Sequence, residues 1–176
     1  MREFIDIVEA RDLSPLVRVL NKHLDDVSLA PEQWLVHFSS DAPDICANGF
    51  TRGVPLRHGD WTSASGRDYQ GSGYNFAAAA TDENALMFWA ENAPAAVVFR
   101  AEGVRSYHYD GFYQIVFRGS EAKRPMYLIE WADDGPHSNV YEDATFAITA
   151  KDGQPLKTKL RGSLDEVLYY IEKGRV

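Results

Sequence analysis

Short apolar runs recur along this chain, and turn-forming residues separate them. No other feature limits the possible folds as strongly, because each run is too short for a long helix and has the composition of a strand. Helical patterns fall between and after the runs without strict alternation, which predicts an α+β domain with a mixed or antiparallel sheet and short flanking helices. The predicted strands cover residues 34–38, 73–77, 95–101, 114–117, 126–131, 145–149 and 156–160.

Two helices are predicted in the first third of the chain. Ser14 is followed by proline, a typical helix start, and apolar residues then continue at helical spacing as far as Leu24. A second, short helix follows the first predicted strand. Ser40 or Asp41 is its predicted N-cap, and Gly49 is predicted to end it.

Two further helices carry start signals of their own. Thr81 is the predicted cap of a helix over residues 82–91. Ser163 and Glu166 have the spacing of a capping box, which predicts the start of a C-terminal helix that ends at Gly174. The apolar positions of its predicted buried stripe are Leu164, Val167, Leu168 and Ile171.

The remaining segments are predicted to be turns and loops. Asp152 and Gly153 lie between two strand patterns, which indicates a hairpin. Residues 51–72 are rich in Gly, Ser, Asp and Arg and have the composition of a long loop. Loops of that length are uncommon in a compact domain unless they serve a purpose such as covering a ligand.

Composition excludes several classes of function. The net charge of −8 argues against a strong nucleic-acid-binding patch. The one basic stretch of the chain, from Lys151 to Arg161, is interpreted as a solvated strand edge. No apolar run approaches the length of a membrane span. Cys46 is the only cysteine, so no internal disulfide forms, and we expect a reducing, cytoplasmic location.

Taken singly, the reactive residues indicate little chemistry. His37 lies in an apolar strand pattern, the histidines have no metal-binding spacing, and Cys46 is expected to be a buried, unreactive thiol. The glycines at 71 and 73 precede a strand and lack the spacing of a Rossmann dinucleotide site. No serine-hydrolase elbow is present. The order of the motifs is more informative than any one of them.

Three blocks in that order resemble the ADP-ribosyltransferase superfamily, in particular its poly(ADP-ribose)-polymerase-like and diphtheria-toxin-like branch. The first combines residues 35–39, Leu-Val-His-Phe-Ser, with the Asn-Gly-Phe that ends residues 45–50. The second is Gly-Ser-Gly-Tyr-Asn-Phe-Ala at 71–77, and the third runs from Gln-Ile-Val-Phe at 114–117 to Pro-Met-Tyr-Leu at 125–128. The resemblance implies an ADP-ribosyltransferase-like core that uses NAD⁺ as a substrate.

Within the first block, the resemblance assigns three residues to NAD⁺. His37 would hydrogen bond to a ribose hydroxyl. The backbone of Phe38 would pair with the nicotinamide carboxamide, and Ser39 would add a hydroxyl contact. The family commonly has Gly after the His, so the side chain of Phe38 is expected to crowd the entrance.

The second and third blocks supply the other implied site residues. Gly73, Tyr74 and Asn75 would contact the cofactor, with Tyr74 favoured over Asn75 for stacking on the nicotinamide ring. Gln114 would lie beside the reacting ribose, where the family often has Glu. An amide can donate a hydrogen bond but is neither charged nor basic, which argues against elongation into poly(ADP-ribose).

Three functions therefore stay open at this point. The first is mono-ADP-ribosylation of a macromolecular acceptor, with a protein expected. The second is binding of NAD⁺ or ADP-ribose without turnover, and the third is hydrolysis of NAD⁺ as in a toxin. Asp110 and Glu121 flank the strand of Gln114 and are alternative sources of the missing carboxylate, although both are interpreted first as exposed loop positions.

The predicted organisation is a single domain over residues 1–176. An N-terminal helical segment occupies residues 1–30, and the ADP-ribosyltransferase-like core occupies residues 34–131. A hairpin and the C-terminal helix form an extension over residues 137–176. No metal site is predicted.

Overall fold

A computed structural model describes a large part of the chain. The described residues are 24–27, 29–51, 56–57, 60–61, 74–90, 93, 95–104, 106–109, 115–132 and 144–176. The predicted helix from Ser14 to Leu24 lies outside them except for Leu24, and so do the predicted site residues Gly73 and Gln114 and most of the predicted loop. None of the helices in this part of the chain is long and apolar enough to cross a membrane.

Short strands make up most of the described secondary structure. In chain order they are β1 (Leu24–Val27), β2 (Trp34–Phe38), β3 (Leu56–Arg57), β4 (Asp60–Trp61), β5 (Tyr74–Ala79), β6 (Ala95–Arg100), β7 (Ser106–Tyr109), β8 (Ile115–Arg118), β9 (Tyr127–Trp131), β10 (Phe146–Lys151), β11 (Gln154–Pro155) and β12 (Arg161–Gly162). The helices are α1 (Ala42–Asn48), α2 (Glu83–Ala90) and α3 (Leu164–Glu172), and Gly119–Glu121 forms a 3-10 turn.

One sheet of ten strands joins most of these elements. Its order is β1-β7-β8-β5-β2-β6-β9-β10-β11, with β12 also paired to β10, while β3 and β4 pair with each other. Every pairing among the described strands is antiparallel. The predicted α+β class is confirmed, and of the two sheet types predicted the antiparallel one is observed.

Apolar side chains pack on both faces of this sheet. On one face, which we call the helix-pair face, α2 and α3 cover Val36, Phe38 and their neighbours. On the other, the α1 face, α1 covers Leu35, Phe99 and Phe117. Side chains of successive strand residues point to opposite faces, so β2 and β6 contribute to both clusters.

The local start and stop signals are largely confirmed. The Ser163 hydroxyl accepts from the Glu166 N–H while the Glu166 carboxylate accepts from the Ser163 N–H, which completes the predicted capping box. The four predicted stripe residues of this helix are buried. The predicted hairpin turns at Asp152 and Gly153, where both residues have positive φ, and Gly49 ends α1 with φ of 79°.

Two predicted caps differ in detail. The α1 helix begins after Asp41, whose side chain makes no cap hydrogen bond. Its N–H instead donates to the Ser39 hydroxyl at 3.0 Å. Thr81 does not cap the next helix, because the Asp82 carboxylate accepts from the N–H of Ala85 at 3.2 Å. Asp and Thr both suit this position, and the Asp lies one residue closer to the helix.

One helix prediction and one strand prediction were wrong. Leu24 does not end a helix, since it begins β1, which pairs with β7. Residues 156–160 are not a continuous strand either. They bend away between β11 and β12, and the register of β9 with the neighbouring β10 shifts between Ile148 and Ala150. A bulge of this kind bends a strand and interrupts regular pairing beside it.

Candidate functional site

The sheet opens between β2 and β5. Leu35 lies opposite Ala79 and Val36 opposite Ala78, and within the described residues the pairing of these two strands ends there. On its other edge, β2 pairs with β6 along all of Trp34–Phe38. The C-terminal end of β2 therefore has a ladder partner on one edge and an opening on the other.

The main chain of Phe38 points into this opening. Backbone groups of successive strand residues point to alternate edges. The Ala80 N–H donates to the Trp34 carbonyl at 2.9 Å, so even-numbered residues of β2 face β5. The Ser39 N–H donates to the Ala95 carbonyl at 3.0 Å, so odd-numbered residues face β6. The N–H and C=O of Phe38 consequently face β5, one rung beyond the last pair.

The imidazole of His37 occupies the place where the ladder stops. Its Nδ1 lies 2.5 Å from the backbone carbonyl of Phe76 on β5. A carbonyl oxygen only accepts, so Nδ1 carries the hydrogen and donates it. The Phe76 carbonyl is the atom that the Phe38 N–H would reach if the ladder continued. A side-chain hydrogen bond thus replaces a backbone one.

The charge state of His37 follows from its surroundings. Burial lowers the pKa of the imidazole from its ordinary value of 6.5, and this outweighs the opposing effects of the Phe76 hydrogen bond and of Asp41. The ring is therefore neutral at pH 7. With the hydrogen on Nδ1, Nε2 presents a lone pair, and none of the described residues hydrogen bonds to it.

Aromatic rings fix the orientation of His37. Phe50 packs edge-on at a centroid distance of 5.2 Å, and Phe117 packs edge-on at 6.4 Å. The two phenylalanines also contact each other at 5.1 Å. They close two sides of the imidazole, so a ligand reaches His37 only from the sides that these rings leave open.

The three sequence blocks meet at this point. Phe50 ends the first block, Phe76 belongs to the second and Phe117 to the third, and each contacts His37 through its ring or its carbonyl. The resemblance implies that His37, Tyr74 and Gln114 meet at one nicotinamide site, and of these three the structure describes the side chain of His37. No role was predicted for Phe50 or Phe117, and the available signal was that Phe50 ends the first block and Phe117 ends the 114–117 segment of the third.

The side chain of Phe38 does not crowd this opening, contrary to expectation. It is buried in the cluster of the helix-pair face, whereas Phe50 and Phe117, which contact His37, belong to the α1 face. Alternation along β2 puts neighbouring side chains on opposite faces. Only the backbone of Phe38 faces the opening, and the backbone is the part to which the resemblance assigns ligand binding.

Ser39 and Asn75 border the same region. The Ser39 hydroxyl accepts from the Asp41 N–H, which leaves its own hydrogen to donate. Asn75 lies in β5 on the α1 face: a Cβ built on Gly119 would meet Asn75 Nδ2 at 2.8 Å and Phe50 Cβ at 2.5 Å. The structure thus places Asn75 beside a ring that contacts His37.

The other predicted site residues are described in part or not at all. The backbone of Tyr74 begins β5, opposite Arg118, and its role as the stacking residue stays a prediction. Gly73, Gln114 and Asp110 lie outside the described residues. Glu121 is partly buried in the 3-10 turn. Across the described ranges, no group of three or more His, Cys, Asp or Glu side chains is placed to hold a metal ion.

Cys46 fulfils its predicted structural role. It is a fully buried residue of α1, and its thiol donates to the Met126 carbonyl at 3.4 Å. Burial raises the pKa of the thiol. A buried thiol of raised pKa is a poor nucleophile.

Comparison with known proteins gives no relative: no protein family, curated protein or solved structure matches this chain.

Proposed function

We propose that this protein binds NAD⁺ at the opening between β2 and β5 and transfers one ADP-ribose to a macromolecular acceptor, with a protein expected. The observation that carries the proposal is the meeting of all three motif blocks at His37. The blocks are far apart in sequence, so their contact around one histidine is not a consequence of local structure.

The backbone of Phe38 suits the nicotinamide carboxamide. A carboxamide has one acceptor oxygen and a donor NH₂ group, and Phe38 directs one N–H and one C=O toward the opening. Pairing with a backbone edge is independent of side-chain identity, so Phe in place of the family's Gly is compatible with binding. The carboxamide would then occupy the position of the missing ladder rung.

His37 suits a ribose hydroxyl. Its Nδ1 is committed to Phe76, and its neutral Nε2 can accept a hydrogen bond from a hydroxyl group. Phe50 and Phe117 hold the ring in place and would reduce the cost of ordering it on binding. Asn75 and Ser39 would add polar contacts at the border.

The reaction proceeds by cleavage of the bond between nicotinamide nitrogen and ribose carbon. Nicotinamide leaves with the bonding electron pair as a neutral molecule, and positive charge develops on the ribose as in glycoside hydrolysis. The acceptor nucleophile then bonds to the ribose carbon and releases its proton to solvent. Gln114 would stabilise a ribose hydroxyl without acting as a base, which favours a single transfer over chain growth.

Tagged NAD⁺ tests the proposal. The purified protein, added to a cell lysate, is expected to release nicotinamide and to label an acceptor. His37→Phe keeps an aromatic ring but removes the acceptor atom, so it should abolish both signals. Phe38→Leu is the matched control, because it retains the backbone and should keep most of the activity. The absence of both nicotinamide release and labelling with the native protein would exclude the transferase.

A second function is favoured by Gln114 itself. Without a carboxylate beside the ribose, the protein would bind NAD⁺ or ADP-ribose without turnover. Calorimetry that shows tight binding by a protein unable to release nicotinamide would support this function, and rapid turnover that disappears in Gln114→Ala would exclude it. Free ADP-ribose as the main product, with expression toxicity abolished by His37→Ala, would instead identify an NAD⁺ hydrolase.

A further inference from the structure

A groove of about 600 Å³ lies on the helix-pair face, away from His37. One wall is formed by α3, from which the buried Leu168 and the exposed Tyr169 line the groove. The other wall is formed by residues 30–34, which lead into β2, and by Ala80 and Thr81, which follow β5. Trp34 belongs to the helix-pair cluster, whereas the rings around His37 belong to the α1 face.

Carboxylates surround this groove. Glu32, Asp165, Glu166 and Glu172 line it, and no Lys or Arg is among the described residues of the lining. Glu166 is engaged in the capping box of α3. Glu32 and Glu172 form no ion pair within the part of the chain that the structure describes. The nearby Arg100 guanidinium donates to the backbone carbonyl of Glu32 at 3.2 Å and forms no ion pair with its carboxylate. Two carboxylates without an ion-pair partner among the described residues therefore remain at the walls.

Aromatic rings of the groove already bind cations of the same chain. The Arg100 guanidinium lies 4.4 Å from the centre of the Trp34 ring, and Lys173 Nζ and the Arg175 guanidinium lie 5.5 and 5.7 Å from that of Tyr169. Among the described residues, Tyr169 is the one large hydrophobic side chain that is exposed, and its exposed fraction is 47%. Such rings favour positive charge at their faces.

We infer that this groove is a docking site for a basic peptide segment of a partner protein. A Lys or Arg side chain of the partner would lie with its aliphatic stem along Tyr169 and Leu168 and with its charge near Glu32 and Glu172. Long basic side chains combine an apolar stem with a charged end, and the groove offers the matching combination of surfaces. The inference is independent of the proposed NAD⁺ chemistry.

Titration with a short, end-capped peptide of alternating Lys and Gly, followed by amide NMR of the intact protein, tests this site. Shifts are expected in residues 30–34, 80–81 and 165–172. At physiological salt, the double variant Glu32→Gln/Glu172→Gln should bind the peptide at least about five-fold more weakly than the native protein does. Asp44→Asn/Glu102→Gln removes the same charge from exposed positions elsewhere and should bind as the native protein does.

Three results would overturn the inference. The first is equal weakening in the two double variants, or shifts scattered over the surface, since either means unspecific attraction to an acidic protein. The second is equal binding of a peptide with Glu in place of Lys. The third is binding of spermidine at the same residues as tightly as the peptide, which would identify a small-polycation site. Nicotinamide release by the Glu32→Gln/Glu172→Gln variant separates failure of this site from failure of the NAD⁺ proposal.

Discussion

Gly153 lies directly against Ala47. A Cβ built on this glycine would be 2.6 Å from the Ala47 Cα and 2.7 Å from its Cβ, closer than such atoms approach in proteins. The hairpin between β10 and β11 therefore packs on α1 through a contact that only glycine permits. Phe50, which holds His37, follows α1 by two residues, so this contact helps to position the candidate site.

Gly153→Ala is expected to destabilise the protein by about 3 kcal/mol. Positive φ costs a residue with a Cβ about 1 kcal/mol, and displacing the Ala47 backbone adds roughly 1–3 kcal/mol. Gly174→Ala is the matched control, because Gly174 also has positive φ but open space around it. It should cost only about 1 kcal/mol. Urea unfolding measures both, and equal losses would contradict the packing argument.

Ser163→Ala removes the hydroxyl of the capping box. The N–H of Glu166 then loses its acceptor at the start of α3, and the expected loss is about 1 kcal/mol of unfolding free energy. Ser40→Ala is a suitable control, since Ser40 is exposed outside the helices and should change the stability little. A shift of the urea midpoint of similar size in both variants would show that the capping box contributes nothing.

His37 should make stability depend on pH. Its folded pKa lies below the ordinary 6.5 because of burial, so the unfolded chain binds a proton more readily. The contribution of the neutral imidazole to the free energy of unfolding is complete above pH 6.5. It is lost as the pH falls from there toward the folded pKa, by about 1.4 kcal/mol for each unit of difference between the folded and unfolded pKa. Unfolding free energies between about pH 5 and 8 measure it. His37→Phe should have a flatter profile, and an unchanged slope would contradict the buried neutral imidazole.

The Cys46 thiol should resist modification in the folded protein. It is fully buried, and burial raises its pKa, so both access and thiolate are lacking. At mildly alkaline pH, Ellman's reagent should modify Cys46 of the folded protein only as fast as the protein unfolds. In denaturant it should modify Cys46 rapidly. Because the chain has a single cysteine, the signal has one source. Gly153→Ala should react faster than the native protein, whereas rapid and complete reaction of native protein would contradict the structure.

Features decided by neighbours in the chain were predictable from the sequence. The capping box of Ser163 and Glu166, the turn at Asp152 and Gly153 and the helix stop at Gly49 all depend on residues within a few positions of each other. Such signals act through local hydrogen bonds and backbone conformation. They were sufficient to predict most elements and the fold class.

Features decided by distant partners were not predictable. β1 contains Asp25 and Asp26, residues with low strand propensity, and it exists because Ser106–Tyr109 provides a paired edge. At the candidate site, His37 and the backbone of Phe38 were predicted to contact a ligand, and that role stays a prediction. The Phe76 carbonyl bonds to the His37 side chain instead of the Phe38 N–H. That choice of partner depends on how two remote strands approach each other.

The alternation of β6 between the two clusters has a consequence for cooperativity. Ala96 and Val98 pack on the helix-pair face, while Val97 and Phe99 pack on the α1 face, so this one strand supports both layers of apolar side chains. Loss of one layer withdraws support from the strand that carries the other. The described sheet and its helices should therefore unfold in one transition, with the loss of helical circular dichroism and the exposure of Cys46 at the same denaturant concentration.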